Sequence, residues 1–178
     1  EDSIRFYSSI LPNLYSYILT QSQNFATEAL TRHEASLRQR GRPKVVLART
    51  YEEAWDIYQR YKDNCLGVIS DVRFPINNVE DKGSSATEGN IPVSEKDPEA
   101  GLKLLRAIRK EDEYLPLIIE SSESENREKA EAEGFHFVDK NSKKMSVDLR
   151  HLLEEHMGFG DFIFRNPETR EEVMRIRS

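Results

Sequence analysis

The sequence holds one cysteine, Cys65, in 178 residues. An internal disulfide is therefore excluded, and the usage fits a reducing compartment. No apolar run approaches the roughly 20 residues of a membrane-spanning helix. No hydrophobic leader precedes the first polar residues, so the expectation is a cytoplasmic chain with no membrane partner. Positive charge is in deficit too. With 26 basic residues against 32 acidic ones the net charge is −6, which argues against a broad nucleic-acid footprint. The four histidines (His33, His136, His151 and His156) lack metal-ligand spacing and read as structural. No internal repeat at a solenoid period is present.

What the sequence does contain is a regular alternation. Charged residues make up 33% and hydrophobic ones 37%, a polar balance, yet the aliphatic runs are well formed and exclude wholesale disorder. The length fits one domain, or one domain with extensions, able to bury roughly 70% of its unfolded surface. Residues 3–38 carry Ile4, Tyr7, Leu11, Leu14, Ile18, Phe25 and Ala29 at helical spacing, with Pro12 expected to kink or restart the helix and Gly41 and Pro43 to end it. Such a helix is longer than a small domain is wide, so its second half should project.

Lys44–Arg49 has strand character, and Thr50 with Glu53 forms a capping-box pair opening a helix whose buried stripe is Ala54, Trp55, Tyr58 and Tyr61. These aromatics read as core or interface rather than a base-stacking platform. Cys65–Ser70 reads as a buried strand with Asp71 at its C-terminal end, and 76–97 as a flexible insertion. Asp97 and Pro98 read as N-cap and first residue of a helix burying Leu102, Leu104, Leu105 and Ile108. Leu115–Ile119 is the next strand, ending in Glu120, Ser121 and Ser122. A charged helix over 124–133 stops at Gly134, and a strand over 135–139 leads into Lys140. A helix over 146–157 closes at Gly158. The tail 159–178 reads as an extension or linker with a small hairpin, leaving 1–158 as the main domain. Strands alternating with helices give an α/β fold with a parallel sheet.

In such a sheet, ligands gather outside the carboxyl ends of the strands. Glu1, Asp2, Asp71, Ser121 and Lys140 fall there. Three carboxylates held close call for a cation, and Mg²⁺ suits them because it takes a few carboxylates and keeps waters and a phosphate oxygen. A carboxylate nucleophile beside a metal, a hydroxyl and an ammonium makes a site for phosphoryl transfer to Asp71.

These residues resemble the receiver domain of two-component response regulators. The matching pieces are Glu1-Asp2-Ser3, Ile69-Ser-Asp-Val-Arg-Phe-Pro75, Gly101-Leu-Lys-Leu-Leu105, Ser121, Phe137 and Lys140, spread over residues 1–156. The resemblance implies a flavodoxin-like, doubly wound parallel sheet in the order 2-1-3-4-5. It implies Asp71 as phosphoacceptor, Asp2 and Asp71 as Mg²⁺ ligands beside Glu1, and a further Mg²⁺ contact from the Arg73 carbonyl. It also implies phosphoryl binding by Ser121 and Lys140, and a switch formed by Ser121 and Phe137. A histidine kinase or phosphotransfer protein would be the donor, and an attached or partner domain the output. The chain would not be an enzyme beyond its own phosphorylation and dephosphorylation.

The chain departs from that family in four places. The first strand is missing ahead of Glu1, the first helix is about twice the usual length, 76–97 is inserted, and Asn141 replaces the proline that usually follows the lysine. The long first helix offers a face to a partner helix or a second copy of the chain. That helix and the tail Phe159–Arg165 look similar to receiver modules preceding phosphoenolpyruvate/pyruvate-binding domains. Each residue also has an ordinary reading: Asp71 as a cap, Glu1 and Asp2 as solvated charges, Ser121 and Ser122 as N-caps (Ser122 with Glu125 in a capping box), Lys140 as a surface lysine, Phe137 as core. A docking or dimerisation module that is never phosphorylated is the rival from a different class. A haloacid-dehalogenase-type hydrolase is excluded because Arg73 stands where its second acid belongs.

Overall fold

The structure, a computed structural model, describes residues 1, 3–27, 31–33, 36, 43–76, 96–157, 161–169 and 171–177. The first helix, α1, spans Ile4–Thr27 and runs through Pro12 without the expected restart. Proline removes the hydrogen bond to the Ser8 carbonyl, and Ser8 is exposed, where water can take its place. The buried face is Ile10, Leu14, Tyr17 and Ile18, whereas Ile4 is exposed, so the true face is rotated from the one spacing selects. A helix apolar on more than one side gives periodicity no unique answer. Ala29 and most of 28–42 lie outside the described residues, as do 77–95 of the insertion and Gly158. Among the described residues, no helix is long and apolar enough to cross a membrane.

Lys44–Arg49 forms no strand, a correction to the sequence expectation. A strand exists by exchanging ladder bonds with a neighbour, and no described residue supplies one. Helix α2, Tyr51–Tyr61, opens as expected: the Thr50 hydroxyl accepts from the Glu53 amide at 3.2 Å, while the Glu53 carboxylate accepts from the Arg49 amide at 2.8 Å. It buries Tyr58 but leaves Tyr61 exposed, because Tyr61 is the last residue before the 3₁₀ turn Lys62–Asn64.

Three strands follow: β1 Val68–Asp71, β2 Leu117–Ser121 and β3 His136–Asp139. They pair in parallel in the order β1-β2-β3, with Asp71 opposite Glu120 and Ser121 opposite Asp139. The mixed α/β reading with a parallel sheet therefore holds. Strand β2, paired on both sides, is buried at all five positions, whereas β1 at the edge is only partly buried.

Helix α3, Ala100–Glu111, starts later than expected, because Asp97 and Pro98 build a turn ahead of it. The Asp97 carboxylate accepts from the Glu99 amide at 2.8 Å. Its core face is the expected one: Leu102, Leu104, Leu105 and Ile108 are each at most 2% exposed. Helix α4, Glu125–Ala132, ends at Gly134, whose φ of 75° is the left-handed conformation that favours glycine. The expected Ser122–Glu125 capping box does not form: Ser124 holds the N-cap position without a side-chain bond.

The chain divides into two compact units. One comprises Glu1–Tyr7 and Leu47–Ser142 and holds the sheet, with a core of Leu102, Leu105, Ile108, Leu117 and Ile119 among others. The other comprises Ser8–Val46 and Lys143–Ser178 and contains most of α1, helix α5 (Met145–Glu155) and an antiparallel hairpin of β4 (Asp161–Arg165) and β5 (Glu172–Arg177). The expected hairpin is thus present. Within this unit the Tyr17 hydroxyl donates to Glu154 at 2.8 Å, and the Arg175 guanidinium donates to the Glu154 carbonyl at 3.2 Å.

Candidate functional site

Parallel strands carry their carboxyl ends to one edge, and that is where the charge collects. Asp71 ends β1, Glu120 and Ser121 end β2, and Lys140 follows β3 directly. The register fixes the spacing, and the Lys140 amide donates to the Ser121 carbonyl at 2.9 Å, tying the β3 exit to the end of β2. The Asn141 side-chain amide donates to the Ser122 carbonyl at 2.9 Å. Asn141 therefore ties the two loops together.

The Lys140 ammonium, with 2% of its side chain exposed, sits among three carboxylates. It pairs with Glu1, lies 3.1 Å from an Asp71 oxygen and 3.9 Å from a Glu120 oxygen. A buried ammonium is unfavourable unless paired. Desolvation disfavours the Lys140 charge, yet Glu120, Asp71 and Glu1 together outweigh it and hold the lysine above its ordinary range. Burial pushes Asp71 up, only partly offset by Lys140, with Glu1 adding to the rise. Burial also pushes Glu120 up, to about 8, with Glu1 and Asp71 adding to the effect. Glu1 moves the other way: burial raises it, but Lys140 and the Ser3 amide bring it below the usual range. Three ionised carboxylates around one ammonium would leave an excess of two negative charges, so the cluster either holds a proton or attracts a cation.

The close approach behind Asp71 depends on Gly101. A Cβ built there would lie 1.9 Å from the Asp71 carbonyl oxygen, so α3 can seat against the end of β1 only with glycine at this point. The Gly101 amide donates to the Val72 carbonyl at 3.0 Å, and one Asp71 carboxylate oxygen accepts from the Val72 amide at 2.7 Å.

The Ser121 hydroxyl oxygen accepts from the Glu123 amide at 3.1 Å and from the Asn126 side chain at 2.9 Å. Both lone pairs being engaged, its remaining capacity is that of a donor. Arg73 pairs with Glu123 at 2.8 Å. Phe137 belongs to the core, with the Arg127 guanidinium 4.7 Å from its ring centre. Asp2 lies outside the described residues.

The structure thus brings Glu1, Asp71 and Lys140 together, as the sequence reading expects. It adds Glu120, which that reading leaves at the end of a strand with no role. The signal was an acid directly after Leu115–Ile119, in a strand buried on both faces. Asn126, which holds Ser121, is a second residue of the site that the sequence pattern does not mark. Among the described residues, no three acidic, histidine or cysteine side chains form a ready metal cage. The oxygen donors of Glu1 and Asp71 nevertheless suit a hard cation such as Mg²⁺. Comparison of the chain with family models, curated proteins and solved structures finds no match.

Proposed function

We propose that this chain is a phosphoaccepting receiver domain in a two-component phosphorelay, with Asp71 as the acceptor. The observation that carries the reading is the buried Lys140 ammonium 3.1 Å from the Asp71 carboxylate, at the carboxyl edge of a parallel sheet. An Asp71 oxygen attacks the phosphorus of a phosphohistidine or small acyl phosphate. A P–O bond forms, the bond to the donor breaks, and the departing imidazole or carboxylate keeps its electron pair. Lys140, already held above its ordinary pKa, remains a cation and offsets charge on the phosphoryl oxygens. The Ser121 hydroxyl, its lone pairs used by Glu123 and Asn126, donates to one of those oxygens. Glu1, Asp2, Asp71 and the Arg73 carbonyl would hold Mg²⁺, which supplies Lewis-acid neutralisation of phosphoryl charge. Through Ser121 and Phe137 the phosphorylated site would shift a two-state equilibrium read by an output domain.

The order β1-β2-β3 would correspond to the last three strands of a flavodoxin-like 2-1-3-4-5 sheet.

One observation favours the rival reading of an unphosphorylated docking module. Lys140 is already surrounded by Glu1, Asp71 and Glu120, an arrangement that also serves as a self-contained structural ion cluster. Intact mass after incubation with acetyl phosphate and Mg²⁺ separates the two. A gain of one phosphoryl group, absent in Asp71→Asn and without metal, supports the receiver. No adduct together with no Mg²⁺ binding by titration leaves the docking module.

A further inference from the structure

We propose that the Leu11–Tyr15–Leu19 ridge of α1 is a self-association surface, covered in solution by the same ridge of a second copy of this chain. The proposal does not rest on the phosphoryl reading. In a sequence where charged residues are 33% of the total, Ile4–Thr27 contains a single one, Arg5. An exposed helical face is ordinarily where lysine and glutamate collect. Here the exposed positions are Ile4, Ser8, Pro12, Asn13, Tyr15, Ser16, Leu19, Thr20, Gln23 and Asn24, none of them charged, with Leu11 half-buried beside Tyr15. Tyr15 is 51% exposed and Leu19 46%. Depletion of charge with an aromatic residue retained is the composition of an interface centre, not of a solvated face.

The partner follows from charge and from shape. A neutral face offers nothing to a charged surface, which would lose its water without gaining an ion pair. Its complement is an equally neutral face, and α1 of a second copy supplies one. Leu11, Tyr15 and Leu19 form a ridge of large side chains at four-residue spacing. Ser8, Pro12, Ser16 and Thr20 form the neighbouring row of smaller ones. Such a ridge fits the groove beside the same ridge of a two-fold-related copy, in the packing that crosses helices near −50°. One hydroxyl of the face is already satisfied within the helix. The Thr20 hydroxyl donates to the Ser16 carbonyl of its own helix at 2.9 Å. One helix pair covers on the order of several hundred Å², below the ~1,200 Å² of stable complexes, so the dimer is reversible and concentration-dependent.

The test is sedimentation equilibrium of the whole chain over a range of concentrations, with Tyr15→Lys and Tyr15→Glu measured alone and mixed. Tyr15 lies near the two-fold axis and meets its own copy there, and because it is exposed both variants should fold, which circular dichroism checks. The expected result is a mass rising from 20.7 kDa toward twice that value for the unmodified chain. Each variant alone stays at the monomer mass, and the mixture associates again. A monomer at every soluble concentration overturns the proposal. So does a dimer that survives both substitutions, since another surface then holds it.

Discussion

The carboxyl edge of the sheet and the outer face of α1 invert the same rule in opposite directions. At the sheet edge a lysine and three carboxylates are withdrawn from water, with Lys140, Glu120 and Glu1 each less than a tenth exposed at the side chain. On α1, Tyr15 and Leu19 stand in water in a segment nearly free of charge. Charged groups are ordinarily outside, and large apolar groups that gather outside ordinarily mark a contact. The buried cluster costs stability unless each charge is compensated, which is the physical basis of the phosphoryl-transfer proposal. The neutral ridge costs little in the isolated chain, so it points to association. On the two proposals, the contrast separates what folding tolerates for a reaction from what it leaves open for a partner.

The largest effect expected is from Lys140→Met. Removing the cation leaves Glu1, Asp71 and Glu120 buried around an apolar side chain. Breaking a buried pair in this way costs about 3–5 kcal/mol, and proton uptake by the carboxyls recovers part of it at low pH. Urea unfolding at neutral pH should show the loss, and the same measurement at acid pH should show less of it. A variant as stable as the parent would mean the cluster is wetter than its burial implies. Next comes Gly101→Ala. Its methyl would overlap the Asp71 carbonyl, so α3 must shift away from β1, at a cost of about 1–3 kcal/mol. Acetyl-phosphate labelling should fall with stability here. Labelling that persists would show that Asp71 does not depend on the seating of α3.

Glu120 gives the comparison its pH dependence. Burial raises its folded pKa to about 8, above the ordinary 4.5 of the unfolded chain. Between those values the folded state binds the extra proton, so stability is present below the unfolded value and is lost as pH rises through the folded one. Asp71, also raised, adds loss in the same direction. Glu1, lowered, contributes stability that is lost as pH falls through its folded pKa. Glu120→Gln, neutral at every pH, should remove its share of the fall between pH 5 and 8, at most about 3–4 kcal/mol. Parallel stability–pH curves for parent and variant would show that Glu120 is not the group holding the proton.

Much of this arrangement was legible in the sequence because local chemistry decided it. Thr50 and Glu53 cap α2, Gly134 stops α4, and the apolar positions of α3 follow helical spacing to the residue. Asp71 and Lys140 could be brought together because parallel strands deliver their ends to one edge, a rule needing only element order. The rest needed tertiary information. Lys44–Arg49 has the composition of a strand but no described partner, and composition does not supply one. Glu120 follows an unbroken apolar run in a strand buried on both faces, so no alternation marks where it points. In α1 apolar residues occupy more than one side, and only the folded chain shows that Tyr17 is covered and Tyr15 is not.

The smallest effect is the one that calibrates the largest. Lys129 in α4 pairs with Glu99 at 3.6 Å, with 56% and 40% of the two side chains exposed. Lys129→Met makes the same chemical change as Lys140→Met on a residue that water already solvates. Methionine is close to lysine in helix propensity, so the substitution leaves α4 intact. An exposed pair contributes about 0–1 kcal/mol, so urea unfolding should shift by less than about 0.5 kcal/mol. The difference between the two variants then measures what burial adds to a lysine–carboxylate contact in this chain. If Lys129→Met proved as costly as Lys140→Met, the sheet edge would be no different from the surface. The special chemistry read there would lose its physical basis.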